Sequence, residues 1–393
     1  MKMPQLTAEL VRSINDREFL ELLADHGPLT RGQIARAAQF SRPYALELTE
    51  RLADRGLVAQ HGLLESAQRG RKAALFGLPP DLGLSIGVDI AALDEIRVRR
   101  AVLGSPRRSD TSTPILPRVD LVEQIVDAVG LTERDRQFKH LSLVVGLPGS
   151  VDAASGDIIF AWGRPDWPAG TAKRLRHRLG CDIAFENEVN LRAVAEHHLG
   201  TAQDVDSFLL LSLGTGIGSA LQLKGQILRG EHGAAGEIGY LPASTKPVPM
   251  RRQQGDIASY QEVAGAVALA AAAGTKHDPT YAWTATLLAK PATAPEWQAV
   301  AEQIAVGLLA MVTVVDPQCI ILAGEVSKML GGALIQPLTS VLTKHLPWEV
   351  DLRVSRLGDG AVLAGAIHEA SRRLRDTAFG IADLQGTSLR GLG

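Results

Sequence analysis

The sequence predicts an α/β protein in two parts: an N-terminal winged helix-turn-helix over residues 1–80 and a duplicated, two-lobed α/β domain over residues 81–393. Residues 29–58 have the capping residues and apolar spacing of two short helices joined by a tight turn. Two apolar runs, residues 84–90 and 208–213, read as buried strands that open stretches of comparable size. Between the parts, Leu78-Pro79-Pro80-Asp81 can continue neither a helix nor a central strand, so the boundary is predicted there.

Each helix of the pair is preceded by a residue that can cap its N-terminus. Thr30 can cap the first helix, with Gln33 as its reciprocal partner. Ser41 can cap the second, and Pro43 lies in its first turn, where a missing N–H costs nothing. A supporting helix is expected over residues 12–25. The inward positions of the second helix are predicted to be Ala45, Leu48, Leu52 and Ala53.

The outer face of the second helix is expected to meet double-stranded DNA. In a helix-turn-helix, the residues near the start of this helix reach base edges in the major groove. A basic loop follows between two predicted strands and is expected to form the wing. The predicted DNA-binding residues are Ser41, Arg42, Tyr44, Glu47, Arg69, Arg71 and Lys72. A generic amphipathic helical hairpin is the alternative interpretation of this segment.

Composition limits the remaining classes. The chain has 393 residues, of which 46% are hydrophobic, which predicts two or three globular units. Its net charge of -2 gives no strong indication of a partner. Cys181 and Cys319 form no CxxC or Cys/His cluster, which argues against a disulfide framework and a cysteine-rich zinc site. The longest apolar runs, residues 263–273 and 305–315, fall short of the ~18 residues that a membrane helix needs. With no signal-peptide pattern, the expected location is the cytoplasm, without membrane association.

Three glycines at positions 214, 216 and 218 have the spacing of a dinucleotide-binding turn. Such a turn must open a helix, whereas residues 219–225 alternate like a strand. The glycines are therefore predicted to join two strands, in a hairpin that lets backbone N–H groups approach a phosphate or a sugar. A tight hairpin with no ligand is the alternative.

Polar side chains gather in two other segments. Asn187 and Glu188 follow a predicted strand and precede a predicted helix over residues 189–199, and such an amide and carboxylate can bind sugar hydroxyls or remove a proton from one. Glu188 could instead merely favour the positive end of the helix. The glycine-rich residues 230–240 surround Glu237, and their alternative interpretation is an ordinary surface loop.

Together these segments resemble the ROK family of sugar-responsive repressors and sugar kinases, which has an actin-like, hexokinase-type fold. GLPGSVD, ENEVN, LGTGIGS, GEHGAAGEIGY and the helix at Ala361 follow the family order over nearly the whole chain, and the winged helix matches the repressor branch. The resemblance implies a sugar-binding asparagine and a carboxylate at the base position, a sugar-contacting glutamate, and a position that contacts sugar or zinc. These are, in order, Asn187, Glu188, Glu237 and Tyr240, the predicted ligand-binding residues.

The chain departs from the pattern of the family's kinases. Glu188 replaces the catalytic aspartate, and displacing the carboxylate by ~1 Å can cost on the order of a hundredfold in rate. Residues 89–93 lack the glycine and the hydroxyl of the first phosphate loop. Tyr240 replaces the histidine, and residues 250–257 contain none of the zinc-binding cysteines. If residues 255–260 align with the family's GCLEAY segment, Ala258 replaces a further sugar-binding glutamate.

We therefore expect a transcriptional repressor that is not an enzyme and has no catalytic residue, metal or cofactor. A small effector, expected to be a sugar or sugar derivative in the cleft between the two lobes, would change the affinity of a homodimer for a palindromic operator. Two alternatives remain open. One is an active ATP-dependent sugar kinase with an accessory DNA-binding domain, and the other is a constitutive DNA-binding protein with a ligand-free scaffold domain.

Overall fold

The computed structural model describes residues 8–64, 72–92, 94–152, 156–161, 170–243 and 259–380. The chain divides into two compact units. Unit 1 consists of Met1–Val145, Lys173–Ala184 and Ala366–Gly393. Unit 2 consists of Gly146–Ala172 and Phe185–Gly365.

The N-terminal part of unit 1 contains three helices and a small sheet. The helices are α1 (Ala8–His26), α2 (Arg31–Ala37) and α3 (Arg42–Asp54). The strands are β1 (Leu29–Thr30), β2 (Ala59–Leu64) and β3 (Ala73–Gly77). They pair antiparallel in the order β1-β3-β2. The predicted helix over residues 12–25 and both helices of the pair are thereby confirmed.

The remaining elements are groups of consecutive strands and groups of helices. The strands are β4 (Gly83–Asp89), β5 (Glu95–Val102), β6 (Arg108–Pro114), β7 (His140–Leu147), β8 (Gly149–Val151), β9 (Ile158–Ala161), β10 (Asp182–Asn187), β11 (Phe208–Leu213), β12 (Ile217–Leu223), β13 (Gln226–Ile227), β14 (Cys319–Ala323) and β15 (Leu352–Val354). The helices are α4 (Leu121–Val129), α5 (Thr171–Leu179), α6 (Glu188–Leu199), α7 (Tyr260–Ala264), α8 (Ala266–Ala272), α9 (Trp283–Leu288), α10 (Pro295–Val315), α11 (Gly324–Leu330), α12 (Ile335–His345) and α13 (Ala361–Ala378).

Two five-stranded sheets organise these elements, in the orders β10-β7-β4-β5-β6 and β13-β12-β11-β14-β15. In each sheet the first strand along the chain is central, with the second and third strands on one side and the fourth and fifth on the other. β11 pairs antiparallel with β12 and parallel with β14, and a parallel neighbour requires a crossover connection. The two strands predicted from apolar runs are the central strands β4 and β11, and the fold is mixed α/β.

One hydrophobic cluster of unit 1 extends across residue 80. It combines buried side chains of α1, α2, α3 and the last turn of α13 with those of the segment around β4; its members include Phe19, Leu20, Leu23, Ile34, Leu48, Leu52, Leu78, Leu82, Leu103, Leu374, Ala378 and Phe379. Because this cluster is continuous, the compact unit does not end at residue 80. The domain boundary there stays a prediction.

The longest helix among the described residues, α10, extends beyond the apolar run of residues 305–315 and exceeds the ~18 residues that a membrane helix needs. It has 21 residues and a mean hydropathy of 1.7, so by length and composition it could cross a membrane. One side of the helix is buried in the core of unit 2, through Trp297, Val300, Ala301, Ile304, Ala305, Leu308 and Val312. Their three- and four-residue spacing is that of a helix with one core-facing side, so packing accounts for this apolar composition. The other side exposes Val306 and Val314.

Candidate functional site

The helix pair has the local geometry predicted for it. The Thr30 hydroxyl accepts a hydrogen bond from the backbone N–H of Gln33, whose side chain accepts one from the backbone N–H of Thr30. The Ser41 hydroxyl accepts a hydrogen bond from the backbone N–H of Tyr44. Between the helices Gln39 has a φ of 53°, a left-handed conformation that reverses the chain in few residues. Both helices are therefore fixed at their N-terminal ends.

The outward side of α3 begins with a cation. Arg42 is exposed, and no other side chain within the described ranges pairs with its guanidinium. Glu47 lies one turn further along and is also exposed, as is the cap Ser41. The buried side consists of Ala45, Leu48, Thr49 and Leu52. Ala53 is exposed, so its predicted inward position was wrong.

Tyr44 does not lie on the outer face of α3. Its ring is half-buried and packs edge-on against Phe40, with 5.4 Å between ring centroids. Its hydroxyl accepts a hydrogen bond of 2.9 Å from the side-chain amide of Asn15 in α1. The expected outward position of Tyr44 is therefore corrected: this side chain joins α1 to α3.

The basic loop is described only at its end. Lys72 is exposed just before β3. Arg69 and Arg71 lie outside the described residues, and their predicted contact with DNA stays a prediction.

The glycine hairpin of unit 2 joins β11 to β12, as predicted, with Leu213 paired to Ile217. The side-chain amide of Gln261 closes it: its oxygen accepts from the backbone N–H of Ile217 at 2.7 Å, and its nitrogen donates to the carbonyl of Thr215 at 3.2 Å. The Glu325 carboxylate lies against Gly214, where a Cβ atom would overlap its Oε2. A carboxylate at this position opposes an approaching phosphate, because like charges repel.

The junction between β10 and α6 surrounds one buried carboxylate, that of Glu186. It accepts hydrogen bonds from the backbone N–H of Asn187 at 3.1 Å, from the side-chain amide of Asn190 at 2.8 Å, and from the Arg229 guanidinium at 2.6 Å. Three donors, one of them charged, compensate the cost of burying this group. Glu186 therefore fixes the chain at the point where Asn187 and Glu188 begin α6.

Asn187 and Glu188 have protein partners of their own. The Asn187 side-chain oxygen caps α6 by accepting from the backbone N–H of Val189 at 2.7 Å, and its nitrogen donates to the carbonyl of Gly149 at 2.9 Å. The Glu188 carboxylate is half-buried and pairs with Arg192 one turn along, at 3.2 Å.

Glu237 lies beside β8, the strand that contains Gly149. The Ser150 hydroxyl donates a hydrogen bond of 2.8 Å to the Glu237 carboxylate, and burial nonetheless raises the pKa of this group above its ordinary value. Gly149 and Ser150 are neighbours in β8, so this strand brings Asn187 and Glu237 to one place in unit 2. Tyr240 ends a short 3₁₀ turn (Ile238–Tyr240) and is half-buried.

A cavity of about 300 Å³ opens at the ends of β14 and β15. Its charged lining residues are Arg192, Glu325, Lys328, Arg356 and Asp359. Arg192 is the partner of Glu188, and Lys328 pairs with Asp359 at 2.9 Å. The cavity is therefore adjacent to the first turn of α6 and can hold a small polar molecule.

The segment that corresponds to the first phosphate loop contains an ion pair. The Asp89 carboxylate is buried at the end of β4 and accepts hydrogen bonds from the Arg97 guanidinium at 2.6 Å and from the backbone N–H of Ala91 at 2.9 Å. Arg97 lies directly opposite on β5, because the antiparallel register pairs the two positions. The sequence pattern did not indicate this partner.

Other partners were also missed. Ser150, Arg229 and Gln261 lie far along the chain from the groups they bind, so no local spacing indicated them. No group of three or more His, Cys, Asp or Glu side chains within the described ranges could hold a metal ion. Residues 250–257 and Ala258 lie outside those ranges, so the absence of zinc stays a prediction.

Comparison with known proteins shows which family the chain belongs to. The chain is 25% identical over 266 residues to the DNA-binding transcriptional dual regulator NagC of Escherichia coli strain K12, a match that covers 66% of this chain and 64% of NagC. The match thus spans less than two thirds of that relative's length.

Solved structures share the fold. A ROK family transcriptional regulator, described as a homologue of the E. coli MLC protein, has a TM-score of 0.69 at 18% identity, with 95% of this chain and 99% of that chain covered. A ROK hexokinase from Thermus thermophilus has a TM-score of 0.58 at 26% identity, with 75% and 99% covered. The model of the ROK family matches residues 83–372, well over half of the sequence. The chain belongs to the ROK family.

Proposed function

We propose that this protein is a DNA-binding transcriptional regulator, specifically a repressor, controlled by a small ligand in a ROK domain that does not phosphorylate sugars. Residues 1–80 would form a winged helix-turn-helix domain, and residues 81–393 a ligand-binding and oligomerisation domain. The equal strand order of the two large sheets supports a duplication within this domain. The protein would act in the cytoplasm, as a homodimer on a palindromic double-stranded operator. Similarity to NagC supports this class of function.

The capped helix pair carries the DNA-binding proposal. A helix that is fixed at its start and buried on one side presents a rigid outer face, which is what major-groove recognition requires. Asp16 of α1 pairs with Arg51 and Arg55 of α3 and adds a second attachment between these helices, besides that of Tyr44. Direct contacts would come from Ser41, Arg42, Glu47, Arg69, Arg71 and Lys72.

The test is binding to an operator selected from random DNA, measured by fluorescence anisotropy. Arg42→Ala should weaken binding by about 1 to 3 kcal/mol and relax sequence preference, because a guanidinium can bind guanine through two hydrogen bonds. Lys72→Ala should weaken binding to all sequences and reduce its salt dependence. Arg107→Ala is the matched control, since Arg107 is an exposed arginine outside the helix pair. Equal affinities for Arg42→Ala and wild type would contradict the proposed docking.

The ligand site would form around β8. Asn187, Ser150 and Glu237 converge there and offer an amide, a hydroxyl and a carboxylate, the groups that bind the hydroxyls of a sugar. Glu188 and Tyr240 would complete the site. A carboxylate can accept a hydroxyl without the exact placement that a general base needs, so Glu188 can bind sugar and still fail in catalysis.

A thermal-shift screen over hexoses, amino sugars and pentoses tests this site. Glu188→Gln and Glu237→Ala should each abolish the effect of a stabilising sugar on operator binding and leave ligand-free DNA affinity near that of wild type. Failure of every sugar to stabilise the protein would favour the constitutive scaffold instead. An unchanged response in both variants would place the ligand elsewhere.

An active sugar kinase is the second candidate, favoured by the glycine hairpin and by similarity to the Thermus hexokinase. Two features argue against a kinase. Arg97 is ion-paired with the Asp89 carboxylate, and the Glu325 carboxylate lies against Gly214. ATP-dependent phosphorylation of a hexose panel distinguishes the two. We expect no turnover in wild type or in Glu188→Asp, since Asp89 stays paired in both. Appreciable turnover would overturn the non-enzymatic proposal.

Helix α13 would couple ligand binding to DNA binding. Near its start, Ala361 and Ala364 pack against Ala195 of α6, the helix that Asn187 and Glu188 begin. Near its end, Arg375 pairs with Glu21 at 2.6 Å and with Asp25 at 2.8 Å, both in α1. A ligand that shifts α6 could therefore bias the helix pair through one continuous element.

Arg375→Ala tests this coupling, with Arg373→Ala as the control. Arg373 lies on the same helix but pairs with Asp182 at 2.7 Å rather than with α1. Ion pairs this exposed contribute about 0 to 1 kcal/mol, so both variants should stay folded. The ratio of operator affinities with and without sugar should move toward one in Arg375→Ala alone. The same ratio in both variants would exclude a role for this contact.

A further inference from the structure

We propose that Leu46 reads the methyl group of a thymine in the operator. This inference rests on the proposed DNA-binding function and adds to it the identity of a base. Leu46 is 39% exposed, on the outward side of α3, one turn after Arg42. It belongs to none of the predicted contacts.

The position of Leu46 makes it a base-reading candidate. Residues three and four apart lie on one face of a helix, so Leu46 is adjacent to Arg42 and Pro43 on the surface of α3. All three side chains are exposed, in the first half of the helix. This is the part of a recognition helix that enters the major groove.

Leu46 does not belong to the buried side of α3. The core positions of α3 include Ala45, Leu48 and Leu52, each with no exposed area. Leu46 follows Ala45 by about 100° around the helix, so it flanks the core-facing side and keeps 39% of its surface exposed, at a position where a surface helix is ordinarily polar. Burial against DNA would remove its apolar surface from water.

Thymine is the base that fits this side chain. In the major groove it alone among the four bases presents a methyl group, and apolar side chains contact this group. Arg42 suits guanine through O6 and N7, and Glu47 suits the amino group of cytosine. Four residues of helix span about 6 Å, or about two base-pair steps. Each half-site should therefore contain a thymine within about two base pairs of the guanine that Arg42 contacts.

Replacing thymine by deoxyuridine tests the inference, because this change removes the methyl group and leaves base pairing intact. Operators would be selected with the wild-type full chain, and each thymine would be replaced in turn. At one position per half-site, deoxyuridine should weaken wild-type binding about threefold to fourfold, the value of one buried methyl group. Leu46→Ala should bind the thymine and deoxyuridine operators equally.

Leu116→Ala provides the matched control, since Leu116 is 57% exposed and lies outside the helix pair. It should retain the full sensitivity to deoxyuridine. The inference is overturned if no replacement weakens wild-type binding, or if Leu46→Ala keeps the same sensitivity. A protein that binds no selected DNA would overturn the proposed function and this inference together. Binding that is insensitive to deoxyuridine would overturn the inference alone.

Discussion

Gly365 of α13 lies directly against the carbonyl oxygen of Leu191 in α6, and a Cβ atom at position 365 would overlap that oxygen. The two helices approach so closely because glycine leaves room for a neighbouring backbone. Backbone atoms cannot rotate away as a flexible side chain can. The close approach therefore depends on the absence of a side chain at this position.

Gly365→Ala should lower the free energy of unfolding by about 1 to 3 kcal/mol, the usual cost of overpacking. Urea denaturation followed by circular dichroism measures this change. Gly332→Ala is the control, because a Cβ atom there meets nothing within 4 Å. Equal urea midpoints for the two variants would contradict the close approach.

Replacing Gln39 by glycine should not destabilise the protein, whereas a glycine substitution within a helix should. Gln39 has a φ of 53°, a conformation that costs most residues energy and glycine almost none. The gain is offset by the greater freedom of glycine in the unfolded chain. Gln39→Gly should therefore be neutral or stabilising by up to about 1 kcal/mol. In the last turn of α3, Ala53→Gly should destabilise by up to about 1 kcal/mol. Urea midpoints measure both, and similar losses would exclude a left-handed Gln39.

Local signals predicted the helix pair, whereas long-range partners were beyond them. Thr30 and Gln33, or Ser41 and Pro43, are neighbours in sequence, so their capping roles follow from spacing alone. Tyr44 was misplaced because its hydrogen-bond partner Asn15 lies 29 residues away. Nothing in the pattern of α3 distinguishes a tyrosine that joins two helices from one that faces solvent.

The candidate ligand site shows the same limit. The motif order predicted Asn187, Glu188 and Glu237, but not the strand β8, which contacts both Asn187 and Glu237. Ser150 lies 87 residues before Glu237, so tertiary folding rather than local spacing brings their side chains together. The first half of α10 was missed because polar residues such as Glu302 interrupt its apolar run. Its buried residues follow a helical period that a search for continuous apolar stretches overlooks.

Both thiols should react slowly in the folded protein. Burial raises the pKa of Cys181 and of Cys319 to about 11, and the thiolate is the reactive form. Cys319 is fully buried in β14 and should react with a thiol reagent at pH 8 only after unfolding. Cys181 is half-buried and should react faster than Cys319. The reaction with Ellman's reagent, with and without denaturant, checks this order, and rapid release of two equivalents from native protein would contradict it.

Glu237 should make stability depend on pH in a direction opposite to that of most carboxylates. Burial raises its folded-state pKa above the ordinary value of 4.5, although the Ser150 hydroxyl lowers it in part. Between the two pKa values the folded protein binds more protons than the unfolded chain, so the contribution of this group to stability decreases as pH rises through that window. Above the folded-state pKa the penalty for burying the charge is complete.

Glu237→Gln removes this titration and retains an oxygen that can accept from Ser150. The stability of the variant relative to wild type should therefore increase as pH rises from 4 to 7. Ser150→Ala removes the hydrogen bond that favours the carboxylate, so the pKa of Glu237 should rise further and the loss of stability should continue to higher pH. Urea denaturation at intervals of pH measures all three proteins. A difference between Glu237→Gln and wild type that is constant with pH, or that decreases as pH rises, would show that this carboxylate is not the buried group described here.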